Sequence, residues 1–172
     1  MGAGGFHVAV VGPVSDRYLK DRVVVPDHTV VMVSMNSEEE AHYLSAILNS
    51  SIVEFIGAYI TVKGLENLNI PKFDPNNPVH RQISQLSMKA HELAKCIYAK
   101  VKPDYCREVR NPEEELAKVE EEIDRLVAEL YGIPEDALKD IKRLLAILKA
   151  EEISEESEEE RGTVEPSVVS QN

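Results

Sequence analysis

The sequence predicts an α+β fold: a small valine-rich sheet with two packed helices, then an antiparallel heptad helical pair and a short terminal helix. Three observations carry this. Valine runs near the N-terminus are split by turn residues, apolar residues recur at helical spacing from position 41 onward, and two helical seams stand about ten residues apart.

Phe6–Val11 and Val23–Val33 are rich in valine and read as strands, with Gly12, Pro13, Ser15 and Asp16 as turn residues between them. Pro26-Asp27 interrupts the second run, so that strand starts after Pro26 or carries a bulge. Ser37 is a helix cap, with Glu40 three residues on to complete a capping box, and Glu38–Glu40 suit the positive end of the helix dipole. Ala41, Leu44, Ile47 and Leu48 form the apolar face of that helix. Asn49-Ser50-Ser51 breaks it and caps a second, Ile52–Ile60, apolar almost all round and so expected to be buried.

Pro71, Pro75 and Pro78 hold the next connection extended. Asn77-Pro78 then pairs a cap with a proline at the first helical position. The helix that follows, to about Val101, carries the seam Val79, Ile83, Leu86, Ala90, Leu93 and Ile97. Asn111-Pro112 repeats the entry signal. A second seam runs through Leu116, Val119, Ile123, Leu126 and Leu130, and Gly132 stops it. Two such helices joined by about ten residues are expected to fold back on each other. Pro134 opens a last helix with Leu138, Ile141, Leu144, Leu145 and Leu148 on its apolar face. The expected domains are a small α/β unit over 1–76, the helical pair and terminal helix over 77–149, and a disordered acidic tail over 150–172.

The net charge of −12 divides unevenly. Residues 1–110 hold twelve Lys or Arg and twelve Asp or Glu, while residues 111–172 hold seven and nineteen. The run from Glu151 to Glu160 supplies much of the excess and is expected to stay solvated. The front is electrically neutral and compatible with a polyanion. No apolar run is long enough to span a bilayer, and the first residues do not resemble a signal peptide. Cys96 and Cys106 are therefore expected to be two reduced thiols in a cytoplasmic protein.

No catalytic set emerges. The five histidines form no pair at i and i+4, and neither HExxH nor CxxC occurs, so no metal site is expected. Gly2-Ala-Gly-Gly5 lacks the preceding strand and following lysine of a phosphate loop. Asp74-Pro-Asn-Asn-Pro78 lacks the adjacent proline and aromatic of an amino-methyltransferase tetrapeptide, and reads as a helix-entry turn. Basic residues with Tyr18 and Tyr59 among them suit phosphate or base contacts, and equally an ordinary mixed surface.

Four segments together resemble a known family. Glu39-Glu-Ala-His-Tyr-Leu-Ser-Ala-Ile-Leu-Asn-Ser-Ser51, Leu65-Glu-Asn-Leu-Asn-Ile-Pro-Lys-Phe73, His80–His91 and Ile123–Gly132 are similar, in this order, to the C-terminal target-recognition region of adenine-specific DNA methyltransferases and combined restriction–modification enzymes. The likeness spans roughly residues 20–145. It departs where Asp74 stands in place of the second proline of the family's Ile-Pro-Ile-Pro stretch. It implies a DNA target-recognition module without its own catalytic domain, acting with a methyltransferase subunit or domain. S-adenosylmethionine would then bind only in that partner, and this chain would hold no cofactor and be no enzyme by itself. Arg17, Lys20, Arg22 and Lys63 are the DNA contacts this reading names. A homo-oligomer through the helical seams is a further expectation, and the rival reading is a helical scaffold protein without DNA binding.

Overall fold

The computed structural model describes residues 7–13, 18, 30–59 and 68–162, with side chains left out of the description at 58–59 and 152–162. The described residues form five α-helices and no strand: α1 (Glu38–Leu48), α2 (Ser51–Tyr59), α3 (Pro78–Tyr98), α4 (Pro112–Leu130) and α5 (Glu135–Gly162). A 3-10 turn, Asp104–Arg107, lies between α3 and α4.

The expected α+β class is therefore corrected to a helical one, and the reason is visible in the backbone bonds. Val8 donates its N–H to Asn49 Oδ1 at 2.9 Å and accepts from Asn49 Nδ2 at 2.7 Å. One side-chain amide thus occupies the donor and acceptor that a neighbouring strand would use. Val10 N–H goes to His91 Nε2 at 3.1 Å. Val30–Val33 buries neither face: its side chains are 51–91% exposed. Alternating valines make a strand only when one face meets a core. Phe6 and residues 23–29 of the expected strands lie outside the described residues.

The helices begin and end as the chain chemistry dictates. Ser37 Oγ accepts from Glu40 N–H at 3.4 Å, and Asn77 Oδ1 accepts from Val79 N–H at 2.9 Å ahead of Pro78. Ser50 Oγ accepts from Val53 N–H at the start of α2. Asn111 differs: its side chain makes no backbone cap and instead donates to Glu114 Oε2 at 3.3 Å. Gly132, at φ +66°, closes α4 in the left-handed conformation. Its N–H reaches Glu129 O while Ile133 N–H reaches Ala128 O, the paired bonds of a Schellman motif.

The two seams pack on each other. Gln82 contacts Glu122 and Lys89 contacts Glu115, so residues advancing along α3 meet residues retreating along α4, and the pair is antiparallel. Ile83, Leu93, Val119, Ile123, Leu126 and Val127 are buried there. α1 lies parallel to α3 on its other side: Ser84 Oγ donates to Glu39 O, and His42 meets Ser87 one turn further along both helices. Tyr43, Ala46, Ile47, Ile52 and Val53 join the same cluster, so segments on both sides of residue 76 share one core. Completely burying a side chain such as Ile47 or Ile83 contributes about 2–3 kcal/mol.

Two more expectations change. α5 continues past Ala150 to Gly162 rather than giving way to an irregular tail. Glu is a good helix former, and extending an existing helix carries no nucleation cost. On its expected apolar face Leu138 and Leu145 are buried, but Leu144 is 40% exposed. No helix among the described residues is long and apolar enough to cross a membrane.

Candidate functional site

Tyr43 sits where the four sequence segments singled out above converge. Its hydroxyl donates to Pro71 O at 3.1 Å, its ring lies 4.7 Å from the His80 ring and 5.4 Å from that of Phe73, and Tyr131 is close enough to affect its ionisation. Burial, with Tyr131 adding to it, pushes the Tyr43 phenol up to about 12. Tyr131 Oη is buried with no hydrogen-bond partner among the described residues, and burial raises its pKa too. His80 Nδ1 accepts from Asp74 N–H, and Asp74 Oδ1 accepts from Asn76 N–H, so Asp74-Pro-Asn-Asn77 is a helix-entry turn, as its composition suggests. These rings are packing and positioning groups.

A cleft of about 890 Å³ opens beside α1, between the His7–Ala9 segment, α3, α4 and α5. On one wall, His42 Nδ1 and Ser87 Oγ lie 3.1 Å apart, and the His42 and His91 rings meet edge-on at 4.8 Å. His91 Nδ1 contacts Ser87 O, which can only accept, while His91 Nε2 accepts from Val10 N–H. The two bonds place the His91 proton on Nδ1. Burial lowers the pKa of His42, and His91 adds to the effect. Ser87 is 2% exposed and His42 6%, so the two side chains spend their polar groups on a buried contact with each other.

On the opposite wall Asp124, 5% exposed, spends its carboxylate on structure. Oδ1 accepts from Ser51 N–H at 2.8 Å, and Oδ2 accepts from Ser51 Oγ at 2.6 Å and from Lys142 Nζ at 3.0 Å. It thereby caps α2 from another helix. Glu120 nearby has its pKa raised by burial and by Asp124, against the pull of Lys149. With Glu54 and Glu121 also in the lining, the cleft is a poor host for phosphate.

Among the described residues no group of three or more His, Cys, Asp or Glu side chains could hold a metal ion. Arg17, Lys20, Arg22 and Lys63 all lie outside the described residues, so the structure brings none of the four to a site. Tyr18 is described and 83% exposed.

The thiol expectation is corrected: Cys96 and Cys106 form a disulfide, with Cα atoms 5.3 Å apart. The 3-10 turn returns Cys106 to the last turn of α3, which the one-dimensional spacing did not show. The same link lies in a solvent-facing turn dense in Lys, Arg and Tyr, whose cations the sequence reading counted without singling them out. Its signal was present: Lys95, Lys100, Lys102, Arg107 and Arg110 fall within 16 residues that hold only two carboxylates.

Comparison with protein-family models, with curated proteins and with solved structures yields no match to this chain.

Proposed function

We propose that the chain is a DNA target-recognition module that works with a methyltransferase catalytic partner. One observation carries this reading: four separated segments that resemble the recognition region of adenine-specific methyltransferases meet around Tyr43. Segments that carry the likeness in order along the chain are thus also neighbours in the fold. The step from that unit to DNA rests on analogy. In this reading the helical pair sets spacing and docks the partner, which supplies S-adenosylmethionine and the methyl-transfer chemistry. The workplace in this reading is the cytoplasm, where protein disulfides are rare.

A scaffold role without DNA binding is the alternative, and the exposed Val30–Val33 run, with Leu144 and Ile147 at 40% and 46%, favours a protein partner in that case. Calorimetry with S-adenosylmethionine and methyl transfer to mixed duplex DNA separate the readings. The chain alone is expected to be silent in both assays, and to change the methylated site when added to its catalytic partner. Turnover by the chain alone would contradict the proposal; so would an unchanged site in the complex.

A further inference from the structure

We infer that the disulfide-closed turn between α3 and α4 is the surface that holds the DNA phosphate backbone. The inference deepens the DNA reading above and rests on it.

The first ground is charge. In a chain of net charge −12, the 95–110 stretch carries five cations against Asp104 and Glu108. Asp104 is already engaged by Arg107 at 3.3 Å. Lys100, Lys102 and Arg110 are exposed and make no ion pair with any described residue. On α4 and α5, Lys118, Arg125, Lys139, Lys142 and Lys149 each sit within ion-pair distance of a carboxylate, and Arg143 is the exception among the described side chains. Three exposed cations of the turn thus keep their charge unpaired among the described residues, while Arg107 is paired with Asp104.

The second ground is shape and side-chain type. Tyr98 is 77% exposed, Val101 86% and Tyr105 42%. Tyrosine hydroxyls and Lys or Arg heads are the usual phosphate donors, and the aromatic bodies add contact with sugar. The Cys96–Cys106 link ties the far side of the turn to the buried end of α3. The closed loop 96–106, which carries Lys100 and Lys102, is thus restrained before any ligand arrives, which lowers the ordering cost of binding.

The third ground is a built-in competitor. Four residues connect α4 to α5, and Lys142 of α5 meets Glu121 and Asp124 of α4, so α5 runs back along α4. Beyond Ala150 it therefore leaves the bundle at the end where α4 begins and the turn lies. Those last twelve helical residues hold seven glutamates. Their carboxylates repel phosphate within about a Debye length, roughly 8–10 Å, so the full chain is expected to bind DNA more weakly than one without them.

The test is fluorescence anisotropy of a labelled duplex titrated with the full oxidised chain at several salt concentrations. Reversing Lys100, Lys102 and Arg110 to Glu is expected to raise Kd roughly tenfold or more and to flatten the salt slope by roughly 2–3. A control reversing Lys118, Lys139 and Arg143 makes the same net charge change and is expected to bind like the parent. Equal binding by the parent and the turn variant would overturn the inference and leave the DNA reading intact. Loss confined to a variant with Arg17, Lys20, Arg22 and Lys63 replaced by alanine would do the same. Absence of duplex binding by the parent at the lowest salt would sink both, and preference for a polyglutamate peptide over DNA would reassign the turn to an acidic protein.

Discussion

Asp124 and Ser51 stand 73 residues apart in the chain, yet a single carboxylate takes both the backbone N–H and the hydroxyl of that serine. The pair joins the middle of α4 to the first residue of α2 and fixes the angle at which the chain turns out of α1. Lys142 closes the arrangement from α5. Asp124→Ala would leave a helix N-terminus and an ammonium group without their partner, and is expected to cost about 2–3 kcal/mol in urea unfolding. Asp124→Asn keeps one acceptor and is expected to cost less. A loss below about 0.5 kcal/mol for the alanine variant would show the link to be incidental.

The two tyrosines of the junction should respond in opposite ways. Tyr43→Phe removes the donor to Pro71 O and is expected to cost about 1 kcal/mol. Tyr131→Phe removes a buried hydroxyl without a partner among the described residues, and is expected to leave stability unchanged or slightly higher. Thermal melts of the two variants side by side decide this; equal losses would mean that Tyr131 Oη finds a partner.

His42 makes stability depend on pH with a definite sign. Burial, then the nearby His91, holds its folded pKa below the ordinary 6.5, so the unfolded chain takes up a proton that the folded chain refuses. Stability is therefore expected to fall as pH drops through about 6.5 and to keep falling until the folded value is reached. Glu120 acts in the opposite sense and lower, since its raised pKa favours the fold most at pH below its ordinary 4.5. Urea midpoints between pH 7.5 and 5.5 should slope for the parent and flatten for His42→Asn. Parallel slopes would remove His42 from the account.

The disulfide closes a loop of about ten residues, and reduction is expected to lower stability by about 2–3 kcal/mol through the loop entropy returned to the unfolded chain. Mass spectrometry after alkylation, without and with reductant, should show two blocked thiols and then two modified ones. Free thiols in the untreated protein would restore the reduced pair read from the sequence.

Most of the helical architecture was legible because it obeys local rules. Ser37, Asn77 and Gly132 are chemical punctuation, and the 3–4 spacing of Ile83, Leu86, Leu93, Val119, Ile123 and Leu126 encodes the pair directly. What failed depended on partners distant in sequence. Val8 and Val10 look like strand residues, but Asn49 and His91 take their backbone groups, and periodicity has no signature for that. The Cys96–Cys106 bond was hidden for the same reason, since it depends on how the 103–107 turn folds back. The acidic run after Ala150 was read by its charge alone, although glutamate also extends helices. At the site, the sequence counted Lys100, Lys102 and Arg110 among many basic residues but singled out cations earlier in the chain, since the absence of ion pairs at these three among the described residues shows only in the fold.

Binding to duplex DNA is the measurement that bears most directly on the central claim, and removing residues 151–172 gives it the widest range. Leu138 and Leu145, the buried anchors of α5, remain in that truncation, so the fold is expected to survive. Carboxylates repel phosphates over about 8–10 Å in ordinary salt, so losing them should tighten binding and leave it sensitive to salt. The account predicts that the truncated chain shifts a duplex at low salt more strongly than the full chain does, and releases it as salt rises. No shift at any salt, even with a methyltransferase subunit present, would contradict the DNA function and leave a helical scaffold in its place.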